Sequence, residues 1–367
     1  MLHTYCIQSL QLSNFRNYQD FFADFSQGSY VLYGPNGLGK TNILEAISIL
    51  SPGKGLRGEP LKNLITTNQS SSAVIANIKN NLGIINLKTL IEPTEENDGY
   101  KKRYLMDEQS LKSNNMLDYY LNCLWLIPQM DNFFLQDNLI KRKLIDKMVF
   151  FLDKHHATRL NEHDKLLKER NKILSLQQIN APWLSIIEGK LSELSVTLVA
   201  SRLDLLNQLN PFLVQNTIHP IQLSLQGTVE ELFAEYTYAL KVENIMKEKF
   251  LQARATDAMQ HSYSWLQKSR LLTINLFNKQ LAENCSTGEQ KMMLISIIIA
   301  FAEVLLFHKN LKPILLLDEI NVHLDQRNTC YIIDKLLQLK TQLFITTTNE
   351  NIYGDFQKSL NFYKVGN

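Results

Sequence analysis

Cysteine is scarce in this chain of 367 residues. Cys6, Cys123, Cys285 and Cys330 stand far apart, with no C-x-x-C pair and no zinc-type spacing to the eight histidines. That excludes a disulfide scaffold or a zinc module and fits a reducing, cytosolic setting. Charge of one sign is lacking too. Thirty-eight Lys and Arg against 36 Asp and Glu leave a formal +2, so any basic surface has to come from local clustering. The longest apolar run, 292–307, is 16 residues and contains Glu303, short of the roughly 18 to 20 apolar residues of a membrane span. A buried helix is expected there, and no membrane partner. The first residues show no basic stretch followed by an apolar one, so no secretory leader is expected. No fixed-period repeat or low-complexity tract appears. What remains is ordinary globular composition, 45% hydrophobic and 20% charged, at a length suited to about two domains.

Glycine is unevenly spread. Seven of the 14 lie from Gly28 to Gly58, and none occurs in 100–188. Glycine supplies strained turns and close backbone approach at an entropic cost. The cluster therefore marks a specialised site, and the empty stretch is expected to be helical. Alternation at Leu10 and Leu12 and the run Tyr30, Val31, Leu32, Tyr33 predict short strands, as do 73–78 and 84–91. From about 135 the spacing turns helical through Ile140, Leu144, Met148 and Leu152, then Leu160, Leu167 and Leu174. It is interrupted at Asn180, Ala181 and Pro182, resumes over 184–209 until Pro211, and breaks again near 220–227. Helix and strand alternate in the last third. The expected architecture is α/β, divided into a first lobe at 1–134, a mainly helical arm at 135–256 and the rest of the lobe at 257–367.

Gly34, Pro35, Asn36, Gly37, Leu38, Gly39, Lys40 and Thr41 match G-x-x-x-x-G-K-[ST] in full, after one predicted strand and before a helix through Leu44 and Ile47. In that setting backbone N–H groups curl around phosphate oxygens, Lys40 reaches the β and γ phosphates of ATP, and the Thr41 hydroxyl binds Mg²⁺. Later, Pro313 opens an apolar run, Ile314 to Leu317, that ends in Asp318 and Glu319. A buried strand delivering two carboxylates at its carboxyl end suits an α/β nucleotide site. Asp318 would hold Mg²⁺, and Glu319 would orient and deprotonate the attacking water. Ser286, Thr287, Gly288, Glu289 and Gln290 precede a long helix from 291 to about 308. They read both as a capping box and as a Ser-x-Gly-x-Gln turn similar to the signature of ABC-type ATPases, which offers a hydroxyl and a positive helix end to a γ-phosphate.

Together these segments resemble the RecF family, in the SMC-like branch of ABC ATPases. The likeness also covers Leu10 to Tyr18, Asn42 to Ile47, Pro52 to Arg57, Trp125 to Met130, Lys141-Arg142-Lys143, His323-Leu324-Asp325 and Phe344 to Thr348. It implies an ABC-type head with a mixed sheet, ATP and Mg²⁺ as ligands, and a homodimer formed on ATP binding. In that dimer each phosphate loop, extended to Asn42, would face the other subunit's Ser286–Gln290 turn in trans. It further implies weak, DNA-stimulated ATP hydrolysis on gapped or junction DNA in recombinational repair and replication restart, with RecR and RecO helping to load RecA. Gln129 takes the position of the glutamine linking Mg²⁺ and water, and Thr348 that of a γ-phosphate sensor. Arg57 and the run Lys141, Arg142, Lys143 are candidates for DNA contact. The latter sit in a segment, 139–172, with ten Lys and Arg against five Asp and Glu, able to meet phosphates without reading bases. One family segment, Gly-Pro-His-Arg-x-Asp-Leu, is replaced by Trp265-Leu266-Gln267-Lys268-Ser269-Arg270-Leu271. The alternatives are a transporter-like ABC subunit and a slow ATP-gated clamp.

Overall fold

A computed structural model describes residues 3–26, 28–81, 83–94, 99–111, 121–176, 180–215, 219–260 and 265–366. The chain divides into two compact units, Met1–Asp131 with Phe301–Asn367, and Asn132–Ala300.

The first unit holds two large sheets. The pairings expected as one mixed sheet are shared between them. One has five parallel strands in the order Asn361–Lys364, Tyr30–Tyr33, Leu343–Thr347, Ile314–Asp318, Cys123–Leu126. The other has six antiparallel strands, Tyr18–Asp24, Cys6–Phe15, Ser72–Asn80, Gly83–Pro93, Tyr100–Met106 and Gln109–Ser110. The helix Lys40–Ile49 touches both, lying against the strands Ile314–Asp318, Leu343–Thr347 and Cys6–Phe15. Ile43, Leu44, Ala46, Ile47 and Ile49 are all buried, so this helix is wrapped by core rather than laid on a surface. Gln342 ties the layers. Its carbonyl accepts the Ile7 N–H (2.7 Å), and its amide donates to the carbonyls of Ile7 (3.0 Å) and Gly28 (2.8 Å).

The glycine-free stretch does not begin as helix. Residues 100–110 form a hairpin whose turn residues, Asp107 and Glu108, both take the left-handed backbone, at φ 48° and 63°. Two-residue hairpins require that conformation, and here acidic residues supply it in place of glycine.

The second unit is helical over Asn138–Leu152, His156–Leu174, Ala181–Gln215, Thr228–Glu235 and Ala239–Gln260. Pro182 sits in the first turn of its helix, where the missing N–H costs nothing. The helix also runs through Pro211, the expected stop. Leu209 and Leu213 are fully buried on either side, and Asn210 clamps the backbone of Leu223 in both directions (2.9 and 3.0 Å). Packing thus outweighs the one hydrogen bond proline removes near a helix end. The break at 220–227 is a strand, Ile221–Gln226, paired antiparallel with Arg270–Asn275. Two buried ionic knots brace the helices: Asp146 with Arg202 and His156, and Glu188 with Arg170 and Arg254.

The apolar run of the last third lies in the helix Thr287–Lys309. At 23 residues it is long and apolar enough to cross a membrane by composition alone, yet most of it is buried in protein. Burial pushes the Glu303 carboxyl up, only partly offset by Lys335.

Candidate nucleotide site

The phosphate loop leaves the carboxyl end of the Tyr30–Tyr33 strand and enters the Lys40–Ile49 helix at Gly39. Gly39 has φ 95°, and a Cβ there would lie 2.7 Å from both Asn17 Nδ2 and Tyr18 Oη, so no other residue fits. Tyr18 Oη donates to the Leu38 carbonyl (3.1 Å), and Asn42 Nδ2 to Asn17 Oδ1 (2.7 Å). Burial, with Tyr363 nearby, pushes the Tyr18 hydroxyl up to about 12. It therefore stays a neutral donor. Lys40, nearly buried, donates from Nζ to the carbonyls of Gly34 (2.7 Å) and Pro35 (2.9 Å), across the mouth of its own loop. Burial pushes its ammonium down, while Glu319 and Asp318 raise it.

The loop and the acidic pair, far apart in sequence, meet. Thr41 Oγ1 lies 2.8 and 3.1 Å from the two carboxylate oxygens of Asp318. Asp318 closes its strand and Glu319 follows at φ 49°, a left-handed conformation rare for a residue with a side chain. A hydroxyl and a carboxylate converging beside a lysine fit a Mg²⁺-bound phosphate, since Mg²⁺ takes hard oxygen ligands. Pro128–Met130 forms a single turn soon after the Cys123–Leu126 strand, which runs parallel to the strand of Asp318. Gln129 is exposed on that turn, at the same carboxyl edge of the sheet.

In the second unit, Ser286 and Glu289 form the capping box. The Ser286 N–H and hydroxyl donate to Glu289 Oε2 (2.9 and 2.7 Å), and the Glu289 N–H returns to Ser286 Oγ (3.4 Å). Gln290 is buried and donates to the Cys285 carbonyl (2.9 Å), while Ser286 and Thr287 are exposed and Gly288 is half-buried. The turn is thus stiffened from within and presents its hydroxyl-bearing residues outward.

The candidates for DNA contact need correcting. Lys141 and Arg142 are buried. Arg142 donates to the Ser269 carbonyl (2.6 Å), and Lys141 lies 3.8 Å from Glu283. Only Lys143 of that run is exposed. Helical spacing explains the difference, because three consecutive residues cannot share one helix face. Arg57 is half-buried and donates to Asn42 Oδ1 (3.1 Å) and Glu45 Oε2 (3.3 Å).

A family model described as RecF/RecN/SMC N terminal domain matches residues 6–367. The chain is 33% identical over 362 residues to the DNA replication and repair protein RecF of Rickettsia typhi, covering 98% of this chain and 99% of that one. It is 32% identical over 366 residues to the same protein of Rickettsia prowazekii, covering 98% and 99%. The chain belongs to the RecF family.

Solved structures share its fold. A RecF–ATP structure, described as a recombination mediator protein in the RecFOR pathway, superposes with a TM-score of 0.84 at 20% identity over 100% of this chain and 96% of that one. The Smc head domain of Pyrococcus furiosus, with an extended coiled coil and bound to the C-terminal domain of ScpA, gives 0.53 at 16% over 96% and 92%. The fold class expected from sequence, an ABC-type head of the SMC-like branch, therefore holds. Membership makes the chain an ATP-binding protein of DNA replication and repair.

In the segment in which this RecF-family chain departs from the family pattern, Trp265, Leu266, Ser269 and Leu271 are taken up in packing, whereas Lys268 and Arg270 are exposed. Trp265 meets Phe250 edge to face at 4.6 Å, and Leu266 is buried. Ser269, fully buried, accepts Arg142 at its carbonyl and donates to Glu230 Oε1 (2.5 Å). The family likeness covers Arg16, Glu45 and Thr346 but assigns them no role; the pairing of Arg16 with Glu45 and of Thr346 with Asp318 is seen only in the structure. Both pairings join residues distant in sequence, so no local motif announces them.

Proposed function

We propose that this chain is an ATP-gated clamp on DNA whose hydrolysis is a reset rather than a source of work. Two copies would close around two nucleotides, the Gly34–Asn42 loop of each facing the Ser286–Gln290 turn of the other. The observation that carries the reading is the meeting of Thr41 with Asp318, which joins the phosphate loop to the acidic strand end. Mg²⁺, when bound, would neutralise phosphate charge. Thr41 and Asp318 would hold it, with Gln129 at the same sheet edge. Lys40 would release its two carbonyls to meet the β and γ phosphates. Glu319, turned out of its strand by the left-handed backbone, would accept the proton of the attacking water, as a positioned base does.

In this reading the clamp binds gapped or junction DNA and helps to load RecA; its cooperation with RecR and RecO is supported by the RecFOR pathway named for the solved relative. Reducing, cytoplasmic conditions suit the four free cysteines. For contact with DNA we favour exposed lysines such as Lys143, Lys165, Lys168 and Lys172 over the buried pair Lys141 and Arg142. Such contacts are sequence-independent and weaken with salt. A transporter subunit does not fit a family match over 6–367.

The test is analytical ultracentrifugation with ATP, with and without gapped duplex. Dimers that need ATP and are stabilised by the duplex support the reading. A chain that stays monomeric under both conditions overturns it.

A further inference from the structure

We propose that Thr346 is the positioning residue of the acidic pair, fixing with one hydroxyl both the Asp318 carboxylate and the backbone of Glu319. The inference rests on the reading of Glu319 as the base.

Thr346 lies in the strand Leu343–Thr347, directly across from Asp318 in the parallel register, and is fully buried. Its Oγ1 donates to Asp318 Oδ1 at 2.6 Å and accepts the Glu319 N–H at 3.0 Å. A hydroxyl has one proton and free lone pairs, so the two bonds are compatible and leave the rotor a single orientation. The same Asp318 oxygen also accepts Thr41 Oγ1 at 2.8 Å. Thr41 lies in the first turn of the helix that follows the phosphate loop, where a nucleotide would compete for its hydroxyl, whereas Thr346 sits inside the central sheet. Thr346 is therefore the fixed half of the grip on Asp318.

Its second bond explains the backbone of Glu319. A non-glycine residue at φ 49° persists only where its surroundings over-determine it, and such residues concentrate at functional sites. The bond to Thr346 captures the Glu319 N–H in that conformation. Without it the backbone loses one of the bonds that hold it there and can relax toward an ordinary dihedral, swinging the Glu319 carboxylate away from where it would activate the attacking water. Placement errors of this kind reduce turnover without abolishing binding.

Thr346→Val keeps the shape and removes both bonds, whereas Thr346→Ser keeps the hydroxyl. For Val we expect turnover at saturating ATP to fall at least tenfold, nucleotide affinity to change less than threefold, and half-maximal turnover to need more Mg²⁺. Ser should stay within threefold of wild type. A readout free of turnover is hydrogen exchange in the nucleotide-free protein, where the Glu319 amide should exchange at least tenfold faster in Val and not in Ser. If Val does not fold, Thr346→Ala against Thr346→Ser isolates the same oxygen. Equal turnover or equal exchange in the hydroxyl and no-hydroxyl variants would overturn the proposal. Glu319→Gln separates the two levels. Normal hydrolysis in that variant sinks the reading of the base, whereas loss there with an unaffected Val variant sinks only the role of Thr346.

Discussion

Arg16 grips Glu45 through two parallel hydrogen bonds, Nε to Oε2 at 2.8 Å and Nη2 to Oε1 at 3.0 Å, and the carboxylate is 1% exposed. Glu45 lies one turn into the helix that carries Lys40 and Thr41, while Arg16 lies in the turn between two strands of the antiparallel sheet. Arg57 adds a third bond to the same carboxylate. A bidentate arginine fixes direction as well as distance, so this knot sets the helix against the sheet.

Removing one partner of a buried pair leaves the other charge uncompensated, at about 3–5 kcal/mol. Glu45→Ala leaves Arg16 only Glu59 (3.2 Å) and Arg57 only Asn42 (3.1 Å) as side-chain partners, so a loss at the lower end of that range, about 3 kcal/mol, is expected in denaturant titration. Weaker ATP binding should accompany it, because Asn42 and the loop share these contacts. Unchanged stability would show that the knot is ornamental. Arg16→Lys should lose most of the effect, since a point charge cannot replace the planar fork.

The second knot predicts a response to acid. Burial pushes the Asp146 carboxyl up, but hydrogen bonds from His156 and Arg202 outweigh it and hold it below the ordinary value. The folded chain therefore takes up that proton less readily than the unfolded one. The stabilisation is fully present above the ordinary carboxylate pKa of about 3.9 and is lost as pH falls through the depressed value. Asp146→Ala should destabilise the protein by about 3 kcal/mol or more at neutral pH, with a flatter fall in stability below pH ~4 than wild type. Parallel pH profiles for the two proteins would contradict this.

Much of the candidate nucleotide site is legible in sequence because its parts are local. The phosphate loop, the acidic strand end and the capping box each occupy a few consecutive residues whose types are dictated by backbone chemistry. The strands at 73–78 and 84–91 were legible for the same reason. What sequence could not supply were partnerships across long separations. Thr346 is 28 residues from Asp318 and Arg16 is 29 from Glu45, and nothing in a row of three threonines at the end of an apolar strand announces which hydroxyl faces a carboxylate. The hairpin turn at Asp107-Glu108 and the helix that continues past the expected stop at Pro211 depart from local preference because the tertiary fold supplies what local preference withholds. Lys141 and Arg142 looked like surface charge because composition does not say which helix face is buried.

Glu319→Gln should separate binding from hydrolysis. The amide keeps the shape but cannot take the water's proton, so turnover should fall by the roughly 10²- to 10⁴-fold attributed to a positioned base. ATP binding should persist, and the closed dimer should accumulate on DNA. Single-turnover hydrolysis and nucleotide affinity measured on the same preparation decide it. Normal turnover shows that the proton goes elsewhere, and lost affinity that Glu319 serves binding rather than acting as the base.

The last prediction concerns the composite site. If Ser286 and Gly288 meet the phosphate held by the partner subunit's loop, Ser286→Arg should bind ATP as a monomer yet fail to dimerise, because it places bulk and charge in the closing face. Loss of the cap itself costs only about 0.5–2 kcal/mol, so circular dichroism should show an intact fold. Lys40→Ala should fail for the opposite reason, having lost the cation of its loop. Neither variant alone then has a working site. In the mixed dimer one site pairs the intact loop of the Ser286→Arg chain with the intact turn of the Lys40→Ala chain, and the other site is doubly damaged. Mixing should therefore restore hydrolysis to no more than about half of wild type, peaking near equal proportions and rising with total concentration, provided that one site suffices for turnover. If Ser286→Arg already fails to bind ATP as a monomer, the turn does not act in trans, and Ser286 is a helix cap and nothing more.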